Sequence, residues 1–160
     1  MGLRDDLEEA RKKLGLTTAE FGEVRVHSYD QILKKIWTIF TKLGHEADRY
    51  HWINHYLEGD VVGLNPKLDI SLFAILNEIL PSDERLWLIG NETRNQHPKY
   101  WLYETTAENL IKVLEDMYPF DFYVCPKKYD WLVTQEHHGV ILAVGEPVAS
   151  KLRDVKPMYE

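Results

Sequence analysis

Residues 121–145, DFYVCPKKYDWLVTQEHHGVILAVG, determine the fold class of this chain. Three short runs, DFYVC, DWLVTQ and VILAVG, are rich in aromatic and β-branched residues and are separated by the polar segments PKKY and EHHG. Runs of this length and composition predict β-strands, and short connections between them favour antiparallel neighbours. The stretch therefore predicts an antiparallel meander of three strands.

A second pair of strands is predicted upstream of the meander. RLWLIG, residues 85–90, and KYWLYE, residues 99–104, are short runs of the same aromatic and aliphatic character. The segment NETRNQHP between them is polar, as connecting loops usually are. These two runs predict antiparallel strands joined by a long hairpin.

One helix is predicted between the second and third strands. Thr105 and Glu108 have the spacing of a capping box, in which each side chain accepts a hydrogen bond from the other residue's backbone amide. Apolar residues then recur at helical spacing until Pro119: Leu110, Val113, Leu114 and Met117. This pattern predicts an amphipathic helix that packs on the sheet.

Three further helices are predicted in the first half of the chain. They cover residues 3–14, 29–43 and 69–80, where apolar residues recur three or four positions apart. Gly15 stands where a glycine commonly ends a helix. The order α, α, α, β, β, α, β, β, β predicts a single α+β domain over residues 1–160. In this domain the N-terminal helices pack on one face of a mainly antiparallel sheet of about five strands.

The loop QEHHG, residues 135–139, has two interpretations. Gly139 can supply the positive φ of a tight connection, which would make His137 and His138 the corner of a hairpin. Alternatively, Glu136 and one imidazole form an acid/base pair, or the histidines ligate a metal. Adjacent residues of an extended chain point to opposite faces, so one site can use only one of these histidines. The hairpin corner is therefore favoured.

A second pair of histidines, His51 and His55, would share one face of a helix. This spacing can chelate a metal ion, so both residues are candidate ligands. The first histidine is followed by Trp52, whereas zinc peptidases with this spacing carry glutamate there as the general base. An aromatic, half-buried helix surface explains the same residues, and no cofactor is predicted.

Charge and composition limit the class of partner. The 160 residues include 26 acidic and 19 basic side chains, giving a formal charge of −7. Nucleic acids are bound by clustered lysines and arginines, so we expect a basic protein partner and no nucleic acid. The N-terminus MGLRDDLEEARKKLG lacks the apolar segment of a secretory signal, and the only cysteine, Cys125, cannot form an internal disulfide. The sequence predicts a cytoplasmic protein without membrane contact, because no apolar run approaches the ~20 residues that span a bilayer.

Aromatic side chains are concentrated in the predicted strands and their loops. Alternation along a strand places some of them on the face away from the helices, and those left exposed would resemble the anchor residues of protein interfaces. The candidate binding residues are the aromatic and polar side chains of this region: Trp101, Tyr123, Tyr129, Asp130, Trp131, Glu136, His137 and His138.

Residues 101–145 resemble part of an uncharacterised family of small bacterial proteins, in which a strand, a helix and a strand pair bearing YDWL and HH follow in that order. The residues that carry the resemblance are Tyr123, Lys128, Tyr129, Asp130, Trp131, Leu132, His137 and His138. In the general character of its members, that family is similar to the small α+β immunity proteins that accompany bacterial toxins, including the SUKH group. The resemblance implies a non-enzymatic protein that binds another protein, and it assigns no catalytic residue.

Two functional hypotheses of different classes follow. In the first, the chain is a non-catalytic interaction module, of immunity type, whose acidic surface and aromatic side chains bind a basic protein. In the second, it is a small metal-dependent or acid/base hydrolase that uses Glu136, His137 and His138, with His51 and His55 brought near by folding. Convergence of the two groups of histidines in space would favour the hydrolase.

Overall fold

The computed structural model describes residues 2–44, 56–92, 99–135 and 138–160, which include five helices and seven strands. The helices are α1 (Leu3–Lys13), α2 (Val26–Phe40), α3 (Ser71–Ile79), α4 (Ala107–Asp116) and α5 (Val148–Tyr159). The strands are β1 (Phe21–Glu23), β2 (Val61–Leu64), β3 (Leu86–Glu92), β4 (Lys99–Thr105), β5 (Asp121–Pro126), β6 (Leu132–Gln135) and β7 (Ile141–Val144). None of these helices is long and apolar enough to cross a bilayer.

The seven strands form one antiparallel sheet in the order β1-β4-β3-β5-β6-β7-β2. The predicted hairpin is the β3/β4 pair, with Gly90 opposite Trp101. The predicted meander is β5-β6-β7, in which Val133 lies opposite both Val124 and Ala143. Helix α4 carries the chain from β4 to β5, on the other side of β3. The α+β class is confirmed.

The sheet has two more strands than the sequence predicts, and the chain has one more helix. Strands β1 and β2 are only three and four residues long and form the two edges of the sheet. Runs this short carry too few positions for an alternating pattern to be recognised. Helix α5 follows β7, and its pattern is interrupted by Pro157. Its buried residues Val148, Ala149 and Leu152 are confined to the first half of the helix.

Helices cover both faces of the sheet, which corrects the prediction that they pack on one. Buried residues of α1, α3, α4 and α5 share a core with Leu88 of β3, whereas α2 shares a separate core with Ile89. Consecutive residues of a strand point to opposite faces, so the two cores lie on opposite sides of the sheet. Strand β3 is therefore buried on both sides, which explains its nearly uninterrupted apolar sequence.

The predicted capping box at Thr105 and Glu108 is wrong. Helix α4 begins at Ala107, and Thr105 is the last residue of β4, where its Oγ1 donates to the Glu20 carbonyl at 2.7 Å. The reciprocal arrangement occurs instead between Thr17 and Glu20. The Thr17 amide donates to Glu20 Oε1 at 2.9 Å, and the Glu20 amide donates to Thr17 Oγ1 at 3.2 Å. The pair Thr17 and Glu20, which has the same T-x-x-E spacing, therefore stabilises the turn before β1, whereas Thr105 and Glu108 do not cap α4.

Candidate functional site

A cleft of about 500 Å³ lies on the face of the sheet that carries α1, α3, α4 and α5. Its base includes Phe122 of β5 and Gln135 of β6, which are paired directly across the two strands. One wall comes from Asp69 and Ile70 before α3 and from Leu72 and Phe73 within it. The other comes from residues 117–121, which are the connection after α4 and the first residue of β5. The hairpin between β6 and β7 contributes Gly139 and the neighbouring histidine at the mouth.

The lining of the cleft is mainly apolar, and its residues range from fully buried to largely exposed. Phe122 and Leu72 are buried, whereas Ile70 is 73% exposed and Tyr118 is 48% exposed. Leu68, two residues before Ile70, is 64% exposed. Ligand sites in proteins are typically concave, apolar and roughly 300–1,000 Å³ in volume, with a few polar groups that set orientation. The cleft has this character.

The polar residues in the lining of the cleft include two aspartates. Asp69, Asp121, Gln135 and His138 line it, and among its described lining residues none is lysine or arginine. A further carboxylate lies next to the mouth, because the Tyr118 hydroxyl donates to Asp6 Oδ2 at 2.7 Å. Of the two aspartates in the lining, Asp69 is exposed and Asp121 is partly buried.

The hairpin that the sequence singled out lies at this cleft. Gly139 has a φ of 87°, as its predicted role in a tight connection requires. His138 is exposed and lines the cleft. Glu136 and His137 lie outside the described residues.

The second pair of histidines, His51 and His55, also lies outside the described residues. Within the parts of the chain that the structure describes, no three His, Cys, Asp or Glu side chains are grouped so that they could hold a metal ion. Of the residues named in the hydrolase hypothesis, His138 is the one that lies within the described residues, and it lines the cleft.

Two of the candidate aromatic residues belong to the cores. Tyr123 is 2% exposed and makes an edge-to-face contact with Trp37 of α2, with ring centroids 5.1 Å apart. Trp131 is fully buried in the core of the opposite face. The sequence left open an exposed aromatic face, but α2 covers the aromatic residues of that face. These two side chains therefore pack the fold and are not part of its surface.

The remaining candidates, Trp101, Tyr129 and Asp130, do not line the cleft. Trp101 is partly buried near the start of α1, and its ring lies 4.8 Å from Lys99 Nζ. Tyr129 is partly buried, has a φ of 59°, and its ring lies 4.3 Å from Lys35 Nζ of α2. Asp130 is exposed in the connection before β6. Of the described candidates, only His138 lies at the cleft.

Cys125 is fully buried in the core beneath α2. Burial raises the pKa of its thiol, and the charge of Asp130 raises it further. Because the thiolate is the reactive form of cysteine, this side chain is an inert part of the core.

Most residues of the cleft were not identified from the sequence. The run YPFDF, residues 118–122, supplies five consecutive lining residues, and Asp69 and Ile70 supply part of the facing wall. An aromatic run in a helix-to-strand connection is the one local feature of the sequence that could have indicated these cleft residues. Its meaning depends on α3 lying opposite, which no local pattern specifies.

Comparison with protein families matches residues 1–156 to a family of unknown function, DUF6756. The chain belongs to this family. No curated protein and no solved structure was found to match it. The description of the DUF6756 family names no activity, so the function of this member must be argued from the cleft and the surface around it.

Proposed function

We propose that this DUF6756 member is a non-catalytic binding protein that engages a basic protein partner. The observation that supports this proposal best is the position of exposed apolar side chains at a cleft whose lining includes the exposed Asp69. Ile70 and Tyr118 of its lining expose 73% and 48% of their surface, and Leu68, two residues before Ile70, exposes 64%. Clustered exposed apolar residues at a concave site are typical of interaction surfaces.

Charge supports the choice of a basic partner. The chain carries a formal charge of −7, and the acidic side chains of the cleft are part of that excess. Complementary charge speeds diffusional encounter and selects against acidic partners, whereas the apolar contacts supply most of the affinity. The complex should therefore weaken as salt rises, but apolar contact should retain part of the affinity.

The sequence resemblance also agrees with this proposal. Residues 101–145 resemble a family whose members are similar in general character to small immunity proteins, including the SUKH group. Proteins of that kind act by binding another protein and need no catalytic group. The reactive groups of the described chain fit a binding role as well, since its cysteine is buried within the core. An immunity-type role, in a bacterial cytoplasm, is the specific form of the proposal.

A second candidate function is a small acid/base hydrolase. It is favoured by one observation, the presence of His138 and the exposed Asp69 in the lining of one cleft. An imidazole and a carboxylate in a partly enclosed site can serve as general base and acid. In this case turnover of a small molecule would require His138, whereas binding of a protein would not.

The proposal is tested with a purified partner and two matched variants. Full-length chain immobilised on resin captures partners from its host, and each candidate is then purified and titrated in solution. We expect Leu68→Ser to weaken binding by about 2 kcal/mol, as interface anchors do. Val26→Ser is the control, because Val26 is 63% exposed, close to the 64% of Leu68, but lies at the start of α2.

Three outcomes of this experiment contradict the proposal. One is a set of captured proteins that all bind the two variants and the wild type equally. Another is affinity that does not change with salt. The third is turnover of a small molecule that disappears in His138→Ala, which would favour the hydrolase.

A further inference from the structure

We infer that the cleft binds a small aromatic molecule that carries a primary amide or a lactam, and that Gln135 recognises this group. The inference goes beyond the proposed function, because the ligand is a small molecule that enters the cleft and not a protein that covers its rim. It is carried by the position of Gln135, by the hydrogen-bonding groups of that side chain and by the aromatic rings around it.

Gln135 lies in an apolar row that crosses three strands at the base of the cleft. It is paired with Phe122 of β5 on one side and with Ile141 of β7 on the other. Phe122 is 2% exposed, Ile141 is fully buried, and both belong to the core that α1, α3, α4 and α5 cover. Residues paired across neighbouring strands point to the same face of a sheet. The Gln135 side chain therefore points into the cleft, which it lines.

The side-chain amide of Gln135 has unused hydrogen-bonding capacity. Among the residues that the structure describes, none donates a hydrogen bond to this amide or accepts one from it. The preceding residue, Thr134, donates its hydroxyl to the Phe122 carbonyl at 2.7 Å and is satisfied within the sheet. Gln135 is partly buried, and its amide can pair at two points with a group that offers a donor and an acceptor side by side. A primary amide or a lactam supplies that pair.

Aromatic rings line the cleft around Gln135. Phe120 and Phe122 stand edge-to-face, with ring centroids 6.0 Å apart, and Phe73 of α3 belongs to the opposite wall. The Tyr118 hydroxyl donates to Asp6 Oδ2 at 2.7 Å, so the ring of Tyr118 is the part that remains for contact with a ligand. Aromatic side chains attract other rings through offset-stacked and edge-to-face contacts in addition to the burial of apolar area. An aromatic ligand is therefore favoured over an aliphatic one.

The size of the cleft fits a small molecule that contacts both features. Its volume is about 500 Å³, and small-molecule sites typically range from roughly 300 to 1,000 Å³. Phe122 and Gln135 are directly paired across β5 and β6, and the Cβ atoms of such a pair lie roughly 5 Å apart. A ring that contacts Phe122 therefore brings an amide attached to it within reach of Gln135.

The test uses the full-length chain and three small probes. Benzamide carries the ring and the amide, acetophenone replaces the amide nitrogen by a methyl group of similar size, and acetamide lacks the ring. Binding is measured by titration, following the backbone amide NMR signals of Phe122 and Gly139. We expect benzamide to bind about fivefold more tightly than acetophenone, because the donor to Gln135 is lost. We expect a preference of about tenfold over acetamide, because the ring is lost.

A matched pair of variants assigns the amide preference to Gln135. Gln135→Met keeps the length of the side chain and removes its hydrogen bonds, so it should bind benzamide and acetophenone equally well. It should be at least as stable as the wild type in chemical denaturation, since no described residue loses a hydrogen-bond partner. Gln31→Met is the control, because Gln31 is an exposed residue of α2, on the other face of the sheet. This control should keep the preference for benzamide.

The inference is overturned by probes that shift no cleft signal, or that bind the wild type with no preference for benzamide. It is also overturned if Gln135→Met keeps that preference. A Gln135→Met variant that is less stable than the wild type overturns it too, because the amide would then have a partner within the protein. The last probe is acetyl-phenylalanine-amide, which carries the ring and the amides of a residue in a protein. If it binds more tightly than benzamide, the cleft fits an aromatic residue of a partner protein and not a free small molecule.

Discussion

Trp101 donates its indole N–H to Glu92 across the β3/β4 pair, with 2.8 Å between Nε1 and Oε2. The other carboxylate oxygen of Glu92 accepts the backbone amide of Leu3 at 3.2 Å. One side chain of β3 therefore joins the start of α1 to an aromatic residue of β4. The sequence marks Trp101 as a candidate binding residue, and the structure shows that it also helps to hold a helix to the sheet.

Glu92→Ala should lower the free energy of unfolding by about 1–3 kcal/mol, because it removes a charged acceptor from two donors that are partly buried. Chemical denaturation measures the change. Glu9→Ala is the control, since Glu9 is an exposed residue of α1 and surface substitutions usually stay within about 0.5 kcal/mol. Equal effects of the two substitutions would contradict the role assigned to Glu92.

Gly145→Ala should be more destabilising than Gly139→Ala, although both glycines have a φ of 87°. Each substitution forces an L-residue into the left-handed region, which costs about 1–2 kcal/mol. At Gly145 a Cβ would also lie 2.8 Å from the Trp131 Cα and collide with the Asp130 carbonyl, and backbone atoms cannot move away easily. No described atom lies within 4 Å of a Cβ built at Gly139. Thermal and chemical unfolding of the two variants should show this order, and the reverse order would contradict it.

Leu114→Ala should cost roughly 2–5 kcal/mol, through lost transfer energy and the cavity that remains. Leu114 is 6% exposed and packs in the core on the α1, α3, α4 and α5 face. Ile39→Ala provides the comparison, because Ile39 is 44% exposed on α2 and should change stability much less. An unchanged denaturation midpoint for Leu114→Ala would mean that the buried face of α4 is misassigned.

His138→Ala should change stability by no more than about 1 kcal/mol, because the side chain is exposed. Tyr123→Ala should cost about 3–5 kcal/mol, the usual range for a buried aromatic residue. Both residues were candidate binding residues in the sequence, so denaturation of the two variants separates a surface position from a core position. A loss beyond about 3 kcal/mol for His138→Ala would indicate a structural role at the hairpin.

Glu104 should make stability depend on pH in the acidic range. Burial raises the pKa of its carboxyl, but hydrogen bonds from Lys127 and Arg85, each at 3.0 Å, outweigh burial and lower the pKa below its ordinary value of 4.5. The folded state therefore binds this proton less readily than the unfolded state, and the stabilisation is present above pH 4.5. It should be lost as the pH falls through the lowered pKa.

The measurement compares wild type with Glu104→Gln from neutral to acidic pH. The wild type should be more stable near pH 7 by about 1 kcal/mol or less, because the carboxylate is partly exposed and solvent screens its ion pairs. The difference should shrink below the ordinary pKa of 4.5. A difference that grows on acidification would contradict the predicted sign.

The strands of the hairpin and the meander were predictable because their information is local. Short apolar runs bounded by polar turns specify extended chain, and the helical repeat before Pro119 specifies α4. Gly15 has a φ of 72° after α1, as its position in the sequence predicts. Each of these features depends on neighbours within about one helical turn or one strand, so the sequence by itself determined them.

Only the tertiary structure decided which face of each element is covered and which connections meet. Leu88 and Ile89 are alike in sequence, and their assignment to two different cores depends on α2 crossing the second face. The order of the strands brings together at one end of the sheet the residues that line the cleft: Asp69, Ile70, Leu72, Phe73, Leu114, residues 117–122, Gln135, His138 and Gly139. Local propensity cannot specify such a meeting, because it follows from burying both faces of one sheet at once. The sequence determined the hairpin, the meander and the first four helices, whereas packing determined the short edge strands β1 and β2 and the cleft.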